Sequence, residues 1–332
     1  MAVAHRRPAG APPFLIVLRA LGLGDLLTAV PALRGLTRAF PGHRRLLAAP
    51  RWLEPLLPLI REGGRPCLHG LVEADGLGAD PASLPRQPDV AVNLHGRGPE
   101  SHRLLLATEP SRLLAFRNDG VKETAAMPAW DAGEHETRRW CRLLHHWGID
   151  ADPGELAIEP PDVELPDWAR GATLVHPGAA SAARRWPPDR WAAIARAERE
   201  AGREVLVTGS RREVGLARSI AAVAGLDPRR EVAGRTDLRG LAALVAAAGT
   251  VVCGDTGVAH LATALGVPSV LLFGPTSPRL WGPPEDRPIH RVLWEGGSGD
   301  PHGETVDHGL LEIEPDEVLA ALESLRLEAV AR

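Results

Sequence analysis

Short apolar runs alternate with longer segments in which apolar residues recur every three or four positions. This alternation predicts strands that are each followed by a helix. The runs are rich in Val, Ile and Leu, which is typical of strands buried on both faces of a parallel sheet. The predicted strands are 14–18, 45–48, 89–94, 112–116, 173–176, 204–208, 250–252 and 269–273. The predicted helices are 52–60, 101–108, 134–147, 189–201, 211–224, 237–248, 258–265 and 315–327, with another that begins near Asp25 and is kinked or restarted at Pro31.

One proline-rich stretch divides this pattern into two halves. Residues 150–171 contain several prolines, from Pro153 to Pro166, which makes the stretch a candidate linker. The alternation of strand and helix starts again after it. The sequence therefore predicts an α/β protein of two doubly wound domains, residues 1–165 and 166–332, that face each other across a cleft.

Composition limits the classes of protein to consider. Of the 332 residues, 44% are hydrophobic and 24% are charged, which is typical of a globular protein. The formal net charge of −4 gives no electrostatic case for nucleic acid as a partner. The 3 cysteines are scattered without CxxC spacing, which argues for a reducing compartment and against a structural zinc site.

The amino-terminal segment resembles a secretory signal only loosely. Arg6 and Arg7 precede an apolar run, but Arg19 and Asp25 interrupt that run and no small-residue cleavage site follows it. Residues 1–12 are predicted to form a loose tail. No window approaches the roughly 18 uncharged apolar residues of a membrane span, so we expect a cytoplasmic protein.

A bend between a predicted strand and a predicted helix is the strongest candidate for a binding site. It consists of Asp255, Thr256 and Gly257, and His260 lies one turn further along the helix. Free backbone N–H groups and the helix dipole favour an anion at such a helix start. The alternative is an ordinary helix cap with a structural His260, since Asp and Thr cap helices and Gly fits the turn.

Two other strand ends in the second half carry polar residues. Arg184 follows strand 173–176 and a loop of Gly, Ala and Ser, and a guanidinium there is suited to phosphate oxygens. Ser210 and Glu213 follow strand 204–208, and an acidic residue in this position binds ribose hydroxyls in dinucleotide folds. The alternatives are a solvated basic loop and a surface glutamate.

The first half offers a glycine-containing loop that ends in a carboxylate. Gly22-Leu23-Gly24-Asp25 resembles a GxGxxG motif, but position 27 is leucine, which disfavours a nicotinamide dehydrogenase. Asp25 is either a helix cap or, if it faces the cleft, a general base. A second loop, His95-Gly96-Arg97-Gly98, follows strand 89–94.

A polar loop at 296–309 contains four side chains that are candidate metal ligands. His and Asp are common metal ligands. The loop is rich in glycine, however, so we expect no metal site in it. These side chains are Asp300, His302, Asp307 and His308.

Three blocks, in this order, resemble glycosyltransferase family 9, which contains the ADP-heptose:lipopolysaccharide heptosyltransferases. They are LRALGLGDLLTAVPALRGLTRAFP, HPGAASAARRWPPDRW and GDTGVAHLATALGVPSVLLFGPTSPRLWGP. The resemblance is strong across 14–42 and 173–284 and weak elsewhere, apart from NLHGRG. It implies a GT-B fold of two Rossmann-like domains, with the acceptor on the first and the nucleotide sugar on the second. It also implies an inverting reaction without a metal or cofactor, and a terminal helix, 315–327, that packs back on the first domain.

The resemblance also assigns roles to individual residues. Asp25 matches the proposed catalytic base of the family, and Arg184 stands where heptosyltransferases have a phosphate-binding lysine, which keeps the charge and changes the geometry. Cysteines that are frequent after the last block in the family are replaced here by the loop 296–309. The match to the diphosphate-binding motif consists of Asp255, Thr256, Gly257 and His260. Glu213 lies near the ribose-binding acid of the family, and Ser210 is counted with it among the donor-binding candidates. The acceptor-binding candidates are Gly24, His95 and Arg97.

The expected function is transfer of a heptose or related sugar from a nucleoside-diphosphate sugar, ADP-linked, to a cell-envelope glycan or glycolipid. Two alternatives stay open, a nucleotide-sugar 2-epimerase with GT-B architecture and a catalytically inactive nucleotide-sugar-binding protein. A lipid-linked acceptor implies peripheral contact with the inner face of the plasma membrane, through arginines that otherwise form a solvated helix face. These arginines are Arg34, Arg38, Arg44, Arg45 and Arg51.

Overall fold

The computed structural model describes residues 12–330. Residues 1–11, which hold most of the predicted tail, and residues 331–332 lie outside the described residues. The chain divides into two compact units, Met1–Glu159 and Pro160–Arg332. The boundary expected from the sequence lies slightly later, after residue 165.

The strands of the first unit are β1 (Phe14–Leu18), β2 (Arg44–Ala49), β3 (Arg61–Glu62), β4 (Arg65–Pro66), β5 (Gly70–Glu73), β6 (Val90–Asn93) and β7 (Arg112–Leu114). They form a five-stranded parallel sheet in the order β5-β2-β1-β6-β7, with β3 and β4 as a separate antiparallel pair. β1 is central and almost wholly buried because its residues are apolar on both faces. β5 lies in a Gly- and Pro-rich stretch and was not predicted.

The helices of the first unit are α1 (Leu23–Thr28), α2 (Val30–Ala39), α3 (Glu100–Leu106) and α4 (Glu136–His145). A 3₁₀ helix, Arg51–Leu59, occupies most of the predicted helix 52–60. Pro31 lies in the first turn of α2, where it lacks no helical hydrogen bond, so the chain forms two helices at the place where the sequence allowed one kinked helix.

The strands of the second unit are β8 (Thr173–His176), β9 (Val205–Val207), β10 (Thr250–Gly254), β11 (Ser269–Leu272) and β12 (His290–Leu293). They form a five-stranded sheet in the order β12-β11-β10-β8-β9, and every neighbouring pair is parallel. An isolated parallel bridge between Val207 and Glu231 extends the β9 edge. With that bridge as a minimal third strand, the order is that of a Rossmann sheet.

The helices of the second unit are α5 (Pro188–Glu200), α6 (Val214–Val223), α7 (Leu238–Ala247), α8 (Gly257–Leu265), α9 (Pro278–Trp281), α10 (His308–Glu312) and α11 (Pro315–Val330). α11 packs into the core of its own unit through the buried Val318, Leu322 and Leu325. That this helix also packs back on the first domain stays a prediction. None of the helices within residues 12–330 is both long and apolar enough to cross a membrane.

The strand order fixes where a ligand is expected in each unit. In the first sheet the order reverses between β1 and β6, and in the second sheet it reverses between β8 and β10. Doubly wound sheets bind ligands at such a reversal, outside the carboxyl ends of the strands. The loops that carry Asp25, His95, Arg184 and Asp255 all follow these four strands.

Candidate functional site

The bend after β10 joins the strand directly to α8. Thr256 is the N-cap of α8, and its Oγ1 accepts a hydrogen bond from the backbone N–H of Val258 at 3.3 Å. Gly257 is the first residue of the helix. The predicted cap is therefore present, and the remaining N–H groups of the first turn supply the partial positive charge that favours an anion.

Arg184 lies against this bend. Its Nη1 donates to the carbonyl oxygen of Asp255 at 3.2 Å and lies 3.8 Å from the Asp255 carboxylate. The approach is close, since a Cβ added at Gly254 would stand 3.3 Å from the carbonyl oxygen of Arg184. The fold thus brings the predicted arginine to the predicted bend, across 71 residues of sequence. The arginine side chain keeps 20% of its surface exposed, so it is accessible to an anion.

His260 also belongs to the neighbourhood of this bend. It lies on α8, one turn beyond Gly257, and its ring is 5.9 Å from the ring of Trp281 in an edge-on arrangement. The imidazole therefore packs against Trp281. A diphosphate role for His260 stays a prediction.

The loops after β8 and β9 meet at Gly178 and Glu213. A Cβ at Gly178 would lie 2.2 Å from Glu213 Oε1, so only glycine leaves room for this carboxylate. Glu213 Oε2 accepts a hydrogen bond from the N–H of Ser210 at 2.7 Å, which closes a capping box. Burial lowers the pKa of His176, and the negative charge of Glu213 opposes that shift only in part. Ser210 and Glu213 therefore stabilise the local structure. The ribose contact of Glu213 stays a prediction.

In the first unit, Asp25 is the third residue of α1 and does cap the helix. Its Oδ2 accepts a hydrogen bond from the N–H of Gly22 at 3.1 Å. The Asp25 side chain is nevertheless 25% exposed, and Oδ1 lies 3.3 Å from Arg19 Nη2. Gly24, in the same turn, is half-buried. The two alternatives for Asp25 are thus compatible, since a capping carboxylate whose side chain is partly exposed is still able to accept a proton.

Sequence reasoning missed the buried network behind Asp25. Arg19 is 1% exposed and donates from Nη2 to Glu136 Oε1 at 2.9 Å. Glu136 also accepts from Arg139 and, at 3.0 Å, from Trp140 Nε1. The Arg19 guanidinium lies 4.8 Å from the centre of a Trp140 ring. The available signal was an arginine directly after an apolar strand, where a charge has to find a partner.

His95 and Arg97 follow β6, at the reversal point of the first sheet. Burial, helped by the charge of Arg19, lowers the pKa of His95 to about 4, while Asp25 acts in the opposite direction. A neutral imidazole results near neutral pH. Arg97 lines a pocket of about 410 Å³ whose wall includes Arg117 and Trp130. Acceptor binding by His95, Arg97 and Gly24 stays a prediction.

In the polar loop near the carboxyl terminus, the acidic side chains bond to backbone groups of the loop or cap the helix that follows it. Asp300 Oδ1 accepts from the N–H of His302 at 2.9 Å, and Asp307 is the N-cap of α10. His308 Nδ1 lies 3.3 Å from Glu312. Over residues 12–330, no group of three or more His, Cys, Asp or Glu side chains is placed to hold a metal ion.

Most of the arginines considered for a membrane surface have partners in the first unit. Arg34 donates to the backbone oxygen of Glu155 at 3.1 Å, and Arg38 lies 2.9 Å from the carboxylate of the same residue. Arg45 is buried and bonds to backbone carbonyl oxygens, and Arg51 lies 3.1 Å from a carboxylate. Contact with anionic lipid stays a prediction, with less free positive charge than the sequence suggests.

Comparison with known proteins agrees with the family resemblance of the sequence, both along the chain and in the fold. The profile of glycosyltransferase family 9 (heptosyltransferase) matches residues 125–298. Lipopolysaccharide heptosyltransferase 1 of Pseudomonas aeruginosa is 38% identical over 312 residues, which cover 81% of this chain and 80% of that protein. Lipopolysaccharide heptosyltransferase 2 of Salmonella typhimurium is 32% identical over 152 residues. That alignment covers 44% of each chain, so this chain spans less than half of the relative.

The fold also matches a solved structure. The ADP-heptose lipopolysaccharide heptosyltransferase II of Escherichia coli superposes with a TM-score of 0.74 at 22% identity, over 95% of this chain and 99% of that one. The expected fold, GT-B with two Rossmann-like domains, is confirmed.

Proposed function

The chain belongs to glycosyltransferase family 9, and we propose on that premise that it is an inverting glycosyltransferase. In this proposal it transfers a heptose or related sugar from a nucleoside-diphosphate sugar, ADP-linked, to a cell-envelope glycan or glycolipid. The names of the relatives support heptose as the sugar and lipopolysaccharide as the acceptor class. An acceptor anchored in lipid would bring the protein to the inner face of the plasma membrane.

The observation that carries the proposal is the approach of Arg184 to the start of α8. A cation and the free N–H groups of a helix start converge there, at the reversal point of a Rossmann sheet. This combination suits a diphosphate. Each hydrogen bond to a charged group contributes about 1.5–3 kcal/mol, so two or three bonds stabilise a leaving diphosphate substantially.

The reaction that follows needs one proton acceptor. The oxygen of the acceptor hydroxyl forms a bond to the anomeric carbon, and the bond from that carbon to the diphosphate oxygen breaks. The hydroxyl proton goes to Asp25, which the proposal assigns as general base. The departing negative charge is taken up by Arg184 and by the N–H groups at Thr256 and Gly257. Glu213 holds the ribose of the nucleotide.

Nucleotide binding tests the donor half of the proposal. A thermal-shift screen with ADP, GDP, UDP and dTDP should give the largest shift with ADP, the nucleotide of the proposed donor. The shift should be measurable, because a ligand at about 100 times its dissociation constant adds about 2.7 kcal/mol of stability. Calorimetry should then show weaker ADP binding after Arg184→Ala. The matched control is Arg185→Ala, since this neighbour is exposed and bonds to the carbonyl of Ala179 instead. Equal ADP affinity in both variants would contradict the assignment of Arg184.

Sugar transfer tests the rest. ADP-heptose should be consumed only when a lipopolysaccharide core acceptor is present, and the product should have the opposite anomeric configuration. Conversion of the sugar without an acceptor would instead identify an epimerase. Binding of ADP-heptose without any consumption, over a range of acceptors, would identify a nucleotide-sugar-binding protein.

A further inference from the structure

The connection between β12 and α10, residues 294–307, runs across the loops that flank the Asp255 bend, and we name it the strap. It is bonded to the loop that follows β11 at two points. Trp294 Nε1 donates to the carbonyl of Gly274 at 3.2 Å, and the N–H of Gly299 donates to the carbonyl of Pro275 at 3.0 Å. One end of the strap is thereby fixed to the loop at the carboxyl end of β11.

The strap is also bonded to the loop that carries Arg184. Both backbone groups of Ala183 are used, since its N–H donates to the carbonyl of Gly303 at 3.1 Å and its carbonyl accepts from Asp307 at 3.1 Å. The packing is tight at this point. A Cβ at Gly303 would lie 3.4 Å from the Cβ of Ala183 and 3.2 Å from the carbonyl oxygen of Asp300. The residue directly before Arg184 is therefore held from both sides.

A side chain extends this support to the guanidinium itself. Ser181 Oγ donates to the carbonyl of Pro301 at 2.6 Å and accepts from Arg184 Nε at 3.4 Å. Arg184 Nη1 then donates to the carbonyl of Asp255 at 3.2 Å. Three hydrogen bonds thus run in series from the strap through Ser181 and Arg184 to the start of α8. A free arginine samples many rotamers, and a series of hydrogen bonds of this kind favours the one that makes them.

We propose that the strap and Ser181 form a positioning device that holds the Arg184 guanidinium where the diphosphate of the donor binds. This inference rests on the proposed function. Ser181 does not touch the donor and acts only through Arg184, so its whole effect on donor binding requires the arginine.

A double-mutant cycle with ADP as the probe tests this dependence. Ser181→Ala should weaken ADP binding about two- to tenfold, the usual value of one hydrogen bond, and Arg184→Ala about 10- to 100-fold. The double variant should bind no more weakly than Arg184→Ala alone. Ser181→Thr, which keeps the hydroxyl, should restore the affinity. Ser83→Ala is the matched control, because Ser83 Oγ also donates to a backbone carbonyl but in an exposed turn of the first unit.

Two results would overturn the inference. One is unchanged ADP affinity in Ser181→Ala, and the other is an equal loss from Ser181→Ala in the presence and in the absence of Arg184. A chain that binds no ADP before any substitution would instead refute the proposed donor site, and the inference with it.

A second variant displaces the strap without touching Ser181. Gly303→Val should push the strap away from Ala183 and reduce ADP affinity as Ser181→Ala does, again only while Arg184 is present. Gly215→Val is its control, since a Cβ there meets no atom within 4 Å. Retained ADP affinity in Gly303→Val would count against the strap as the anchor.

Discussion

The guanidinium of Arg19 donates to the carbonyl oxygen of Asp25 at 2.9 Å and lies 3.3 Å from its carboxylate. The arginine directly follows β1 and the aspartate lies in the first turn of α1, so the pair ties the start of the helix to the end of the strand. One carboxylate oxygen is also tied to the N–H of Gly22. Both carboxylate oxygens of Asp25 are thus held by hydrogen bonds, a fixed orientation that suits the proposed role of general base.

Replacement of Asp25 by asparagine should reduce turnover at least ~100-fold, the lower range for general base catalysis, because an amide does not take the acceptor proton. The affinity for ADP should not change, since the proposed donor contacts are in the second unit. Steady-state transfer assays and calorimetry measure the two quantities. Asp150→Asn is the matched control, with a side chain that is 95% exposed. Near-normal turnover in Asp25→Asn would refute Asp25 as the base.

The buried carboxylate behind this pair should matter for both stability and turnover. Glu136 is 6% exposed and lies 2.9 Å from Arg19. Glu136→Gln removes a buried charge that two arginines share, which should lower the free energy of unfolding by about 1–3 kcal/mol. It should also lower kcat, because Arg19 is no longer held on both sides, while the dissociation constant of ADP stays the same.

Urea unfolding and transfer kinetics measure these effects of Glu136→Gln. The exposed Glu123→Gln serves as the control variant. If stability falls but kcat per folded molecule is that of the unchanged protein, the network supports the fold without orienting Asp25.

The contrast between Asp25 and Glu136 shows what sequence alone was able to predict. Asp25, the Asp255 bend and Arg184 all lie in local patterns, where an apolar strand ends in glycine and polar residues before a helix. Such patterns are local in sequence, so they are visible without a structure. Glu136 lies 117 residues from Arg19, and nothing in its own helix indicates the partner.

The missed elements have a different cause. β5 and β12 are short, and both lie in stretches that contain charged, Gly or Pro residues, so neither has the apolar run of a buried strand. Most of the strap lies in the polar loop predicted at 296–309, of which residues 308–309 already belong to α10, but its place beside Arg184 was not predicted. Most of its hydrogen bonds use backbone groups, which every residue has and which therefore leave no trace in the sequence.

Gly178→Ala should separate the ribose contact from the phosphate contact. The added Cβ would displace the Glu213 carboxylate, which lies at the end of a flexible side chain, so the fold should survive. ADP should bind more weakly, by about two- to tenfold if one hydrogen bond is lost. A ligand without ribose hydroxyls, 2′,3′-dideoxy-ADP, should bind equally to the variant and to the unchanged protein. Gly215→Ala, in open space, is the control. A loss that is equal for both nucleotides would argue against Glu213 as the ribose ligand.

A buried histidine should make the stability of the second unit depend on pH. His290 is 8% exposed on β12, and its Nδ1 lies 2.8 Å from Ser269 Oγ. Its Nε2 is buried and has no hydrogen-bond partner within the described part of the chain. Burial, with a smaller contribution from Arg287, lowers the pKa of His290 to about 4. The unfolded chain binds this proton near pH 6.5, so acid favours unfolding between the two values.

His290 therefore contributes stability that is fully present above about pH 6.5 and is lost as the pH falls toward 4, by about 3 kcal/mol in total. His290→Asn should remove this part of the pH dependence. Urea unfolding of the full chain is measured at pH 7.5, 6 and 4.5. The unchanged protein should lose stability faster than the variant as the pH falls. His302→Asn, at an exposed position, should keep the original slope. Parallel curves for His290→Asn and the unchanged protein would mean that the imidazole takes up its proton in the folded state as easily as in the unfolded one.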